Sequence, residues 1–484
     1  MNISMRKKFM VNGQRNKVNA DQPHTPHGVW GLFFSGKGGD MGKGFLAVAR
    51  LMLVMVGISL VAGCGGNPAA KTPARKPDLT VWHWMSDREQ AFLELGRRYE
   101  QATGVIIDFQ LFAPSDAYGS KVRASAQTNT LPDVFGILAE TRDFASFIKA
   151  GFVEDLTPYM SADNGAWEKQ FYPKALSMDT FVDANQFGVK PGIYGVPIDV
   201  TNIQFLYNKS LFAKAGLDPE KPPRTFEEFI AAGAKLKAAG IQGLVSGWGE
   251  IWMLNCLADN FAWNIMGKDK VLATIKGEVP YTDPDWVKVF SLFKQMGESG
   301  ILASGMITMV NKNAEQTFAN QRAAMAFNGS WCVNVYKGMN PDLNYGAFLP
   351  PKISDKHPVV VWGGSGSSFK VNAKSPNKEA AVKFLKWLTD KEQQEFLTEA
   401  TLNLPANRTA NVEMSPVVKQ FSKAMEHVVH PSQLPFNEYP RMVEAMGKGL
   451  QLIVIGQKTP DQLAHDLNQL KMEEIGRDKS RSAP

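Results

Sequence analysis

Cysteine is scarce in this chain: three in 484 residues, at Cys64, Cys256 and Cys332. So few exclude a disulfide-stapled scaffold and any zinc module built on cysteine pairs. Cys256 and Cys332 could pair with each other or stand as two separate buried thiols. Long apolar runs are missing too. The most apolar stretch, Leu51 to Ala62, falls short of the ~20 residues that a membrane-spanning helix needs. Catalytic signatures are absent: there is no His-Glu-x-x-His and no phosphate-binding Gly-x-x-x-x-Gly-Lys-Ser/Thr. Gly36-Lys37-Gly38 and Gly42-Lys43-Gly44 only imitate the latter, and Gly364-Ser365-Gly366 lacks the flanks of a nucleophile elbow. His427 and His430 lie three apart with no third ligand nearby, so they read as surface histidines. The expectation is therefore no metal, no cofactor and no catalysis.

A spread basic charge is also lacking. The chain has 53 Lys and Arg against 47 Asp and Glu, but residues 1–63 hold eight of the former and two of the latter. That leaves 45 of each beyond residue 63, a neutral body without the electrostatic footprint of a nucleic-acid binder. What is present is ordinary globular composition, 44% apolar and 21% charged, over a length that calls for two lobes. Residues 41–63 read as a charged start, a short apolar core and small residues, an export signal. Leu60-Val61-Ala62-Gly63-Cys64 resembles a bacterial lipobox, which implies cleavage before Cys64 and a lipid on its sulfur. Met41 opens a complete signal by itself, so residues 1–40 are expected to be an extension outside the native protein. Residues 64–78, rich in Pro, Ala and Lys, read as a tether.

From Leu79, strand and helix patterns alternate three times: Leu79–Trp84, a helix capped by Ser86 and Glu89, Val105–Leu111, a helix near Ser115–Gln127, Pro132–Leu138, and a helix at Thr141–Lys149. Such alternation predicts a largely parallel sheet with ligands beyond its C-terminal strand ends. Tyr194–Leu217 then reads as a turn, a β-rich run from Val200 to Tyr207 and a short helix closed by Gly216. Thr225 and Glu228 form a capping box for the next helix. These segments, together with Trp82-His83-Trp84, Pro132-Asp133-Val134-Phe135, Phe318–Trp331 and Leu404–Arg408, recur in an order that resembles the family 1 extracellular solute-binding proteins of ABC importers, the maltose-binding-protein-like sugar branch. The resemblance spans about Leu79 to Leu470 and implies an α/β fold of two lobes with a hinge, of the type II periplasmic-binding-protein kind. The expected layout is 79–200 for the first lobe, 201–349 mainly for the second, 350–410 for the return and hinge, and 411–484 for closing helices.

The resemblance also implies a monomeric, extracytoplasmic, lipid-anchored protein at the periplasm or outer face that passes a mono- or oligosaccharide to an ABC permease. A sensory binder of the same fold and, further off, a secreted carbohydrate-active enzyme are the alternatives. A sugar offers an apolar C–H face and a rim of hydroxyls, which suit tryptophan rings and carboxylate, amide or guanidinium groups. Expected strand-end loops supply Trp82, Trp84, Trp248, Trp331 and Trp362, with Asp87, Glu140, Asp199, Asn328 and Arg408. Gly363 and Gly364 would let the backbone approach a ligand. Trp331 and Trp362 are the favoured stacking platforms, because each adjoins a glycine-containing turn.

Overall fold

The fold was taken from a computed structural model that describes residues 75–482 apart from 114, 139–140, 184, 186 and 430–437. The export signal, Cys64 and the tether as far as residue 74 lie outside the described residues. Strands β1 (Leu79–His83), β2 (Ile107–Leu111) and β3 (Val134–Gly136) pair in parallel in the order β2-β1-β3. The helices between them, Glu89–Thr103 and Ser115–Gln127, cover the faces. A small two-stranded ribbon, β4 (Thr180–Phe181) and β5 (Gly192–Ile193), precedes β6 (Val196–Pro197). One residue later the ten-residue β7 (Asp199–Asn208) opens a second sheet, every residue of it buried.

That second sheet takes β8 (Gln242–Val245), β9 (Ala323–Gly329), β10 (Tyr345–Phe348) and β11 (Val361–Ser365), with β9, β10 and β11 all antiparallel to β7. β12 (Ser368–Val371) returns to the first sheet between β3 and β6. β13 (Leu404–Pro405) pairs with the start of β7, and β14 (Val428–Val429) with β11. The first sheet is therefore mixed rather than wholly parallel, because β12 enters antiparallel from the far side of the hinge.

Each lobe has its own apolar core. Phe92, Phe109, Phe384 and Leu385 pack the first, with the Phe92 and Phe109 rings stacked at 5.1 Å. Phe205, Phe229, Phe261, Phe293 and Leu450 pack the second. Helices Pro440–Val454 and Pro460–Ser482 join this second core through Met446, Leu463 and Leu467. The chain passes between sheets at Ile198, at Gly366-Ser367, and between β12 and β13, which it enters through Asn403. Within the segment 350–410, β11 lies in the second-lobe sheet and β12 in the first.

The helix cap at Thr225 is present: its hydroxyl accepts from Glu228 N at 3.3 Å, while the Glu228 carboxylate accepts at 2.7 Å from the N of Arg224, one residue before the cap. The one expected at Ser86 is not. Helix Glu89–Thr103 starts three residues later behind Arg88, which makes no side-chain cap. Cys256 and Cys332 are separate buried thiols.

Candidate ligand cleft

Four helices begin around the gap between the lobes. Glu89–Thr103 starts on the first lobe, while Ile251–Lys276, Asn311–Ala319 and Cys332–Met339 start on the second. The second-lobe three follow the C-terminal ends of β8 and β9 or lie beside them, where an open α/β sheet leaves its crevice. The positive ends of their dipoles favour oxygen-rich ligands.

Trp331 stands at the end of β9, half-buried, as the residue before its helix. Its indole Nε1 donates to Glu315 Oε1 at 3.2 Å, and Asn328 and Asn311 donate to that same oxygen at 3.1 and 2.9 Å. Glu315 is nine-tenths buried, and burial raises its carboxyl pKa while the Asn328 and Trp331 donors pull it down. Trp252, 37% exposed, lies 6.1 Å from Trp331 between ring centroids at 44°. Its indole donates to Glu250 Oε2 at 3.1 Å, and Glu250 Oε1 accepts from Asn311 N at 2.8 Å. Two carboxylates thus fix two indoles side by side, one of them open to solvent.

On the first lobe the turn after β1 carries Asp87 and Arg88. Arg88 is enclosed, with Nη2 2.7 Å from Asp199 Oδ2 and Nε 3.3 Å from Asp87 Oδ2. Burial works against its charge, and Asp199 and Asp87 more than restore it, so its pKa is raised. Asp87 also meets the other lobe: its carbonyl accepts from Asn334 Nδ2 at 3.0 Å, and its carboxylate from Asn403 Nδ2 at 3.3 Å.

The structure therefore brings Asp87, Asp199, Asn328 and Trp331 to one region and distributes the other expected residues elsewhere. Trp82 is 9% exposed, donates to Gln110 Oε1 at 2.9 Å and has Lys121 over its ring at 4.2 Å, which leaves no open face. Trp84 is half-buried against Tyr118, with centroids 5.2 Å apart. Trp248 is fully buried in the second-lobe core against Phe293, since its flanking glycines let Asn311 and Thr308 pack down on the loop. Trp362 is half-buried in β11 against the same core. Gly363 and Gly364 lie inside β11, not in a loop after it. A Cβ on Gly363 would meet Thr201 O at 2.4 Å, and Gly364 has φ of +140°, so they serve the close pairing of β11 with β7. Arg408 is exposed on the first lobe, its backbone N bonded to Gln170 O at 2.8 Å. Glu140 and His430 lie outside the described residues. Among the described residues no cluster of three or more His, Cys, Asp or Glu could hold a metal, and no helix is long and apolar enough to cross a membrane.

Sequence reasoning passed over Arg88, Trp252, Glu315, Asn334 and Asn403. One signal was readable: Asn334 follows Trp331 by three, a spacing that shares a helix face.

Residues 94–425 match the model of the bacterial extracellular solute-binding proteins. The chain belongs to that family. As a member it is an extracytoplasmic solute-binding protein. The multiple sugar-binding protein of Streptococcus mutans is 23% identical over 348 residues, 70% of this chain and 77% of that one. The sn-glycerol-3-phosphate-binding periplasmic protein of Salmonella typhimurium is 28% identical over 319 residues, 61% of this chain and 68% of its own. Among solved structures, a chitin oligosaccharide binding protein superposes with a TM-score of 0.71 at 23% identity, covering 83% of this chain and all of that one. The fold of this solute-binding protein is thus shared with that chitin oligosaccharide binding protein.

Proposed function

We propose that this solute-binding protein captures an uncharged carbohydrate between its lobes and delivers it to an ABC permease, held to the membrane by a lipid on Cys64. The observation that carries the reading is the Trp252–Trp331 pair, two indoles fixed by Glu250 and Glu315 at the second-lobe mouth of the gap. Aromatic faces suit the C–H side of a pyranose, and the neighbouring amides and helix N-termini suit its hydroxyls. The multiple sugar-binding and chitin-oligosaccharide-binding relatives support the same ligand class.

A phosphorylated ligand, as the glycerol-3-phosphate-binding relative's name suggests for that protein, fits less well. The guanidinium at this gap, Arg88, is already engaged by Asp87 and Asp199, and the other charged groups placed here, Glu250 and Glu315, are acidic. A thermal-shift panel tests the reading. A true ligand at 100 times its dissociation constant stabilises the protein by about 2.7 kcal/mol. Oligosaccharides should raise the melting temperature and glycerol 3-phosphate should not. A shift with glycerol 3-phosphate alone would overturn the uncharged-sugar reading and leave the fold intact.

A further inference from the structure

Arg88 lies where everything that joins the lobes meets. Its Nη2 pairs with Asp199, the first residue of β7 and so of the first passage between sheets. Its Nη1 donates to the hydroxyl of Ser367 at 3.3 Å, in the second passage. Ser367 N in turn donates to Asp199 Oδ1 at 2.6 Å, closing a triangle of arginine, aspartate and serine. The third passage is reached through Asp87, whose carboxylate holds both Arg88 and Asn403, next to β13. The same Asp87 offers its carbonyl across the gap to Asn334 on the helix that follows Trp331.

Stability alone is a poor reason for such a pair. Burying two charges costs several kcal/mol each before their attraction is counted, and well-packed apolar residues often do as well. What the pair supplies is direction. A planar guanidinium engaged on three sides has one orientation, and it fixes Ser367 and Asp87 relative to Asp199. We propose that Arg88 is a positioning residue for ligand capture: it ties the cleft-facing turn 84–88 to all three passages, so that the width of the gap and the pose of Asp87 change together. The proposal rests on the gap being the ligand site, but its central test needs no ligand.

Spin labels on Leu93→Cys in the first lobe and Met339→Cys in the second, both exposed, report the inter-lobe distance in the full-length ligand-free protein. Cys256 and Cys332 are buried and would stay unlabelled. Arg88→Lys keeps the charge and loses the fork, and it should give a longer, broader distance distribution at temperatures where circular dichroism shows a folded protein. Asn334→Ala leaves the ion pair whole and removes the cross-gap bond, and it should broaden the distribution in the same sense. It also serves where Arg88→Lys fails to fold. Where either variant leaves less than a tenth of molecules in the competent arrangement, affinity for N,N′-diacetylchitobiose should fall about tenfold or more. Unchanged distances in a folded Arg88→Lys, or in Asn334→Ala, would overturn the proposal. Failure of the carbohydrate reading would show separately, as sugars that never shift the melt of the unmodified protein.

Discussion

The six-membered ring of Trp331 lies folded back over Gly329: a Cβ added to that glycine would fall 1.9 Å from the ring. Strand β9 must end in a residue without a side chain for the indole to reach Glu315. The aromatic surface of the second lobe is thus set by one missing methyl group as much as by the tryptophan itself. Gly329→Ala should displace the ring and weaken sugar binding by about 1–3 kcal/mol, the range for an overpacked site. Isothermal titration beside a melting curve checks this; unchanged affinity would show that Trp331 is not a platform.

Trp252 gives the cleaner test of stacking, because it is the exposed member of the pair. Trp252→Ala should cost about 2 kcal/mol or more of affinity, as for an aromatic anchor, and leave the ligand-free melt nearly unchanged. Trp248→Ala, four residues earlier, should do the reverse and cost about 3–5 kcal/mol of folding stability. Denaturant titration and calorimetric binding on both variants separate the roles.

Glu315 holds three donors on one buried oxygen, so Glu315→Met removes the acceptor and leaves Asn311, Asn328 and Trp331 without it. A stability loss of about 1–3 kcal/mol is expected, with weakened sugar binding as the Trp331 indole loses its fixed partner. Equal affinity in the folded variant would limit Glu315 to packing.

Stability should depend on pH through His83. It is fully buried between Phe92 and Phe109, with Nε2 2.9 Å from Glu89 Oε2. Burial first, then the Arg88 charge, lower its pKa from 6.5 to about 4, and Asp87 pulls it the other way. The unfolded chain therefore takes up a proton first as pH falls. Stability present above pH 6.5 is lost progressively towards pH 4, by about 3 kcal/mol in full. Glu89, its pKa raised by burial, opposes this above its ordinary value, because the folded protein protonates it before the unfolded chain does. His83→Asn should flatten the slope between pH 6.5 and 4 in urea titrations; a parallel slope would refute the assignment.

Cys64→Ser should release the protein from membranes or stall its maturation, read by fractionation and intact mass. An unlipidated N-terminus at another residue would sink the anchor.

The periodic parts of the fold were legible from sequence. Helix Thr141–Lys149 has the bounds that its pattern implies, and Gly216 takes a positive φ of 70° after its short helix. Chemistry decided by long-range packing was less so. Glu315 sits mid-helix, where a glutamate ordinarily faces water, and only the approach of Asn328 and Trp331 from β9 makes it an anchor. Arg88 stands just before a helix with nothing local to mark it, and its partner Asp199 lies 111 positions away. Trp248 has glycine on both sides, as an exposed loop residue would; those glycines instead let neighbouring backbone close over it.

Neither lobe is a continuous piece of chain. The first sheet is incomplete until Ser368–Val371 slots between β3 and β6, and the second core waits for Leu450, Leu463 and Leu467 near the other end. Contacts of such sequence separation form slowly, since loop closure must precede any gain from burial. Residues 79–136 can pair β1, β2 and β3 as soon as they are made, but neither lobe is complete until Ser368–Val371 and then Leu450, Leu463 and Leu467 have followed.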